Sequence, residues 1–251
     1  MKWFNYLQDI PVLTYHKVCD NFELGITNVN KSSFSKQMQF LNENAYQTIL
    51  PSDYKSITDS NRKVILSFDD AYENIYEIAF PIMEKYGFKG LIFPIVNYIG
   101  KLNSWDANLA GIKFRHASKD QLNELLKHGW EIGSHTLTHT SFGINQDFEK
   151  EIVDSKKNLE DQFSTLIQSF SFPFGRSAKK VRQLIENNYD YAFSGQMHRL
   201  PDQYEISRSA VYKMDSLTNF KSKLNAETIE SFKLAMIHKG AIATEIYQKF
   251  S

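Results

Sequence analysis

Dense apolar runs recur along this chain, separated by stretches whose apolar residues fall at helical spacing. Runs at 10–15 (IPVLTY), 46–50 (YQTIL), 63–68 (KVILSF), 90–96 (GLIFPIV), 130–134, 169–172, 191–194 and 206–212 read as strands. Between them, Phe34, Met38 and Leu41 predict a helix over 31–44 behind a serine cap. Ile75, Ile78, Ala79, Ile82 and Met83 line one over 72–86. Another starts at Ser118, carries Leu122, Leu125 and Leu126 over 118–128, and stops at Gly129. Phe148, Ile152, Leu159 and Phe163 predict a helix over 146–168, and Val181, Leu184 and Ile185 one over 178–187. Strands alternating with helices imply parallel strands with helices outside. That number of strands predicts a (β/α) barrel of about seven parallel strands, closed or incomplete, rather than an open doubly wound sheet. The chain has no GxGxxG or GxxxxGK loop, which argues against nucleotide binding.

In a parallel barrel the reactive side chains gather where the strands end. Several polar or turn residues occupy such ends here. His16 follows 10–15, Asp69 and Asp70 close 63–68, Asn97 follows 90–96, His135 follows 130–134, and Pro173-Phe174-Gly175 follows 169–172. Side chains of neighbouring strand residues point in different directions, so one carboxylate of Asp69-Asp70 can face a cation while the other faces water. His135 and His139 are four apart and reach one ion from a helical turn or a tight loop. Taken singly, an Asp-Asp pair reads equally as a helix cap and an HxxxH as surface histidines. Together, Asp70, His135 and His139 form a carboxylate-and-two-imidazole set suited to Zn²⁺, and also to Ni²⁺, Co²⁺ or Fe²⁺. Asp69 then remains as general base, or as a carboxylate that orients a histidine.

At these residues the sequence resembles the polysaccharide deacetylases, carbohydrate esterase family 4. SFDDAYEN resembles the family's first motif, (T/S)FDDG, with Ala71 in place of glycine, and SHTLTHTSF its second, H(S/T)xxHP, with Thr140 in place of proline. SFPFGR at 171–176 is similar to the third, with Ser171 where many members carry arginine, and PVLTYHKV at 11–18 resembles an N-terminal signature of one branch. The resemblance covers 10–212 and implies one catalytic domain over 1–251, with 213–251 a helical tail. It also implies that His16 supplies a proton to the leaving amine, with His238 in KLAMIHKG as the alternative. A backbone N–H of Phe174, following a proline that has none, is a candidate oxyanion donor. Arg208 and Arg176 are alternative partners for Asp69. Trp105 and Tyr72, the first within a long loop at 97–117, are candidates to stack on sugar, whereas Trp130 reads as core.

Lys+Arg and Asp+Glu are 29 each, so no net basic field recruits nucleic acid, while a neutral glycan suits that balance. Cys19 is the single cysteine, which excludes an internal disulfide. No 18-residue apolar run and no clean export signal are read, so no integral membrane segment and a cytoplasmic location are expected. The function expected is removal of an acetyl group from an N-acetylated sugar or glycan precursor in surface polysaccharide assembly. The alternatives are an O-deacetylase, an amidohydrolase on another amide, or an inactive glycan-binding protein. The sequence leaves the oligomeric state open.

Overall fold

The computed structural model describes residues 10–21, 25–105, 112–143, 147–195 and 202–225. Its centre is a parallel ring. Strands β1 (Val12–Tyr15), β5 (Lys63–Asp70), β6 (Leu91–Pro94) and β7 (Glu131–Ile132) run side by side. β8 (Ser169–Ser171), β9 (Tyr191–Ser194) and β10 (Ile206–Ser207) form a second parallel set. One edge between the sets is stitched where Ser134 bridges Phe170, its N–H donating to Ser169 O at 2.8 Å while its own carbonyl accepts from Ser171 N at 2.8 Å. At the other edge, β10 runs through Arg208 into β11 (Ser209–Ala210), which pairs with β1. The ring thus has seven staves, the last broken at Arg208. A short pair, β2 (Lys17–Val18) with β3 (Asn28–Val29), lies outside it and was not expected from the sequence.

Alternation along β5 builds both layers of the core. Val64, Leu66 and Phe68 face outward into the cluster that includes helix residues Phe34, Met38, Leu122 and Leu125. Ile65 faces inward with Val12, Leu91, Phe93, Tyr191, Phe193 and Ile206. Ser67 and Asp69 continue the inward row, since residues two apart share a face. Above the apolar plug, Thr14 Oγ1 and Ser67 Oγ lie 2.8 Å apart. The barrel interior therefore turns from apolar to polar toward the strand ends. The staves approach closely at Gly133, where a Cβ would overlap the Phe93 ring.

The outer helices are α1 (Lys31–Glu43), α2 (Phe80–Glu84), α3 (Lys119–Lys127), α4 (Ser155–Phe163), α5 (Arg182–Asn188) and α6 (Leu217–Leu224). π-helical turns at Ile75–Ala79 and Lys150–Asp154 lead into α2 and α4. Ser118 caps α3 by accepting from Gln121 N at 3.2 Å, and Gly129 leaves it with φ +79°, as expected. The cap of α1 is Asn30 rather than a serine, its side chain accepting from Ser33 N at 2.7 Å. The run at 46–50 yields only β4 (Gln47–Thr48), which pairs with the start of β5 and takes no place in the ring. Part of the expected 213–251 tail is α6; the remainder from 226 on lies outside the described residues. No helix among the described residues is long and apolar enough to cross a membrane.

Candidate active site

The end of β5 delivers its two carboxylates to different neighbours. Asp69 keeps the inward direction of the strand. Asp70 has φ +64° and Ala71 φ +52°, so the chain turns sharply at the position where the resembling motif has glycine. The turn is latched from outside, with Ala117 N donating to Ala71 O at 2.7 Å and Glu73 N to Arg115 O at 2.8 Å.

After the turn, the Asp70 carboxylate faces two imidazoles. Its Oδ1 lies 3.5 Å from His135 Nε2 and 3.6 Å from His139 Nε2. All three residues are buried, and one donor atom from each lies within 4.8 Å of the others. His135 Nδ1 donates to Ser171 O at 2.9 Å, which places its proton on Nδ1. Burial, foremost, lowers the His135 pKa, partly opposed by the Asp69 charge and the Ser171 bond. The His139 imidazole is likewise pushed down, first by burial and then by the His135 charge. A neutral His135 with its proton on Nδ1 turns an Nε2 lone pair toward a carboxylate oxygen. Two acceptors facing each other in a dry site call for a cation, and this donor set fits a divalent metal. His135 and His139 meet through a tight loop rather than a helical turn, with Thr136 at φ +68° and His139 at φ +60°.

Asp69 has a different partner. Arg208 Nη1 donates to its Oδ1 at 2.7 Å and Nη2 to its Oδ2 at 2.8 Å. Ser171 Oγ donates to Oδ1 at 3.2 Å and accepts from Arg208 Nη2 at 2.9 Å. Burial alone would raise the Asp69 carboxyl; the Arg208 charge, His135 and the Arg208 hydrogen bonds together outweigh it and hold the carboxyl well below the usual range. Of the two arginines named from the sequence, Arg208 stands on Asp69. It reaches the site because the last stave breaks there, with Arg208 N donating to Ser194 O at 3.0 Å.

His16 leaves the end of β1 half-buried, close enough to Asp69, Arg208 and His135 for their charges to bear on it. Its Nδ1 is buried without a hydrogen-bond partner among the described residues. Burial lowers its pKa to about 4, with Asp69 pulling upward and Arg208, Lys17 and His135 downward. Phe174 lies in the Pro173–Gly175 turn at φ +58°, and its ring meets that of His139 at 4.7 Å. His238 lies outside the described residues.

Two sequence expectations are corrected here. Trp105 is 8% exposed, its ring 4.0 Å from that of His139, so that face is occupied by a ligand-set imidazole rather than offered to sugar. Tyr72 is 1% exposed and stacks on His116 at 4.7 Å, with Lys17 Nζ 5.0 Å over its ring. Trp130 is core, as expected.

His116 was not anticipated. Its Nδ1 donates to the Asp70 carbonyl at 2.7 Å and its Nε2 accepts from Trp105 Nε1 at 3.4 Å. It therefore ties the turned backbone at Asp70 to the indole lying on His139. Burial, opposed by the Asp70 bond and assisted by Lys17, lowers its pKa to about 4. Alternation in Phe114-Arg115-His116-Ala117, where Arg115 is exposed and its neighbours are buried, was the available signal.

Residues 56–192 match the family model for polysaccharide deacetylase. The chain is 32% identical over 184 residues to the protein YxkH of Bacillus subtilis strain 168, covering 70% of this chain and 61% of that one. It therefore spans less than two thirds of that relative's length. It is 27% identical over 202 residues to a poly-β-1,6-N-acetyl-D-glucosamine N-deacetylase of Staphylococcus epidermidis, covering 73% of this chain and 68% of that one. Among solved structures, BC0361, a polysaccharide deacetylase from Bacillus cereus, superposes with a TM-score of 0.74 at 21% identity, covering 86% of this chain and 68% of that one. That likeness concerns the fold.

Proposed function

The chain belongs to the polysaccharide deacetylase family, and from that premise we propose that it is a metal-dependent hydrolase removing acetyl from an N-acetylated glycan or glycan precursor. The observation that carries the reading is the pairing of a convergent acceptor set, Asp70, His135 and His139, with a second carboxylate, Asp69, held ionised beside it by Arg208. The Staphylococcus epidermidis relative's N-deacetylase activity on poly-β-1,6-N-acetyl-D-glucosamine supports the choice of substrate class. We assign the work to surface polysaccharide assembly because PVLTYHKV at 11–18 resembles the N-terminal signature of a branch acting on exported or cell-surface polysaccharides.

In this reading Asp70, His135 and His139 hold the metal, with Zn²⁺ first and Ni²⁺, Co²⁺ or Fe²⁺ as alternatives. When bound, such an ion supplies Lewis acidity to the acetyl carbonyl and acidity to water. Asp69 takes the proton of the attacking water. Its Oδ2 accepts only from Arg208 in the described contacts, whereas Oδ1 also accepts from Ser171, so Oδ2 is the better-placed base. Arg208 keeps the carboxylate charged until attack begins. The Phe174 N–H is the donor assigned to the oxyanion, on the strength of its place in the turn whose Phe174 ring meets His139. The proton taken from water is passed on from Asp69 to His16, which delivers it to the departing amine. The C–N bond breaks, and acetate and the free amino sugar leave.

The test is acetate release from a β-1,6-linked N-acetylglucosamine oligomer, measured alongside metal content of the purified chain. Turnover that a chelator abolishes and added metal restores is the expected result. Lack of acetate from every N-acetylated sugar tried, with one metal bound per chain, would sink the substrate assignment. A chain that binds none of the four metals would sink the site.

A further inference from the structure

We propose that Glu151 is a positioning residue that sets the geometry of the His135–His139 pair, an inference that rests on those histidines being metal ligands. The loop joining them is short and strained, since Thr136 and His139 both adopt left-handed backbone although neither is glycine. A loop with two such residues does not hold its shape by intrinsic preference and needs neighbours that over-determine it.

Glu151 supplies them from outside the loop. It sits in the π-helical turn Lys150–Asp154 and is buried at 6% exposure. Its Oε2 accepts from Leu137 N at 2.9 Å and from Thr138 N at 3.0 Å, and its Oε1 accepts from Thr138 Oγ1 at 2.8 Å. One carboxylate thus binds two of the three residues that lie between the histidines. The loop's own bonds secure its ends, with Thr136 N donating to Ser134 Oγ at 3.3 Å and His139 N to Thr136 Oγ1 at 2.9 Å. From the other side, Asn97 N donates to Leu137 O at 3.0 Å and Val96 N to Thr136 O at 3.1 Å, while the N–H groups of Leu137 and Thr138 both go to Glu151. The π-turn holds Glu151 on the loop while its neighbour Ile152 stays in the core.

The consequence is that metal affinity depends on Glu151 although Glu151 donates nothing to the metal. Loss of a group that orients a ligand costs roughly 10–100-fold in metal affinity. Two substitutions separate hydrogen bonding from charge. Glu151→Gln keeps an oxygen for both backbone N–H groups and removes the negative charge. Glu151→Asp keeps the charge and withdraws the carboxylate by one methylene.

The experiment is Co²⁺ titration of the metal-free full chain and of both variants, followed by the visible ligand-field spectrum and by calorimetry. Thermal unfolding of the metal-free proteins confirms that each is folded at the temperature used. Expected are near wild-type affinity and spectrum for Glu151→Gln, and for Glu151→Asp an affinity lower by roughly 10-fold or more with an altered spectrum. The proposal is overturned if Glu151→Asp binds like wild type, or if Glu151→Gln is the weaker binder, which would mean that charge and not loop geometry matters. Failure of the wild-type chain itself to bind one Co²⁺ is a distinct result and removes the ligand assignment along with the proposal.

Discussion

Arg208 and Asp69, 139 positions apart, meet in a buried fork-to-fork pair with N···O distances of 2.7 and 2.8 Å. Side chains of both are at most 5% exposed. The pair joins the last stave of the ring to its central strand directly beside the convergent acceptor set. Two parallel charge-assisted bonds fix orientation as well as charge, which a lysine cannot reproduce.

Replacing Arg208 with glutamine should therefore act on both stability and the pH profile. An Asp69 left buried without its countercharge costs roughly 3–5 kcal/mol if it stays ionised. It escapes part of that cost by protonating. With Arg208 gone, burial dominates and the Asp69 pKa rises. Asp69 must be ionised to act as base, so the acid limb of kcat/KM should move to higher pH. Profiles of wild type and Arg208→Gln on one N-acetyl substrate decide it. An acid limb at the same pH in both would mean Asp69 is not the titrating base.

The two adjacent acids should part company under amidation. Asp69→Asn should keep its metal and lose turnover by roughly 10²–10⁴-fold, the usual worth of a general base. Asp70→Asn should bind metal more weakly, because it replaces an anionic ligand facing both Nε2 atoms. Metal content after gel filtration, read beside kcat, separates the outcomes. Equal metal loss in both variants would show that their roles are not distinct.

How far the sequence reached is clearest at β5. Its apolar run and terminal carboxylates identify a buried stave and the site end of the barrel, because period-two alternation and strand-end location are local properties. The partnership of Asp69 with Arg208 is not local. It depends on a break in the last stave, and sequence alone favoured Arg208 while leaving Arg176 open. The sugar-stacking role expected of Trp105 and Tyr72 failed for a similar reason. Aromatic residues in a polar loop or just past a strand end look available until another segment covers them, and here His139 and His116 do so. Glu151 left a readable trace, an acid beside Ile152 on the buried face of a helical pattern. Its meaning lay in the loop it meets, with which it shares no periodicity. The closure of the ring through one bridge at Ser134 was likewise invisible, since a single bridge has no pattern.

His116 predicts a pH effect on stability that is independent of turnover. Its pKa in the folded chain is about 4, against an ordinary 6.5. Between those values the unfolded chain binds a proton that the folded chain refuses, so stability falls as pH drops through that window. Above 6.5 the group contributes no dependence, and below about 4 the loss is complete, on the order of 3 kcal/mol. Urea unfolding of the metal-free protein at pH 7, 6, 5 and 4 should show the decline, with a shallower slope in His116→Gln. Equal slopes would mean that His116 is protonated in the folded chain.

His16 can be tested by the leaving group it is proposed to serve. Burial holds the ring near a pKa of about 4, so at neutral pH it begins the reaction without a proton on both nitrogens. It can act as an acid only by gaining a proton during attack, and that proton is the one Asp69 takes from water; once it is handed over, the recharged Asp69 carboxylate stabilises the imidazolium. An amine must be protonated to leave, whereas an aryl oxide departs readily as the anion. His16→Ala should then lose roughly 10²–10⁴-fold in kcat on an N-acetylated sugar and far less on an aryl acetate. Metal content should not change, because His16 is outside the convergent set. His238→Ala serves as the control and should lose little on either substrate. A similar loss on both substrates in His16→Ala would make that residue structural, and a selective loss in His238→Ala would move the proton donor to the C-terminal region.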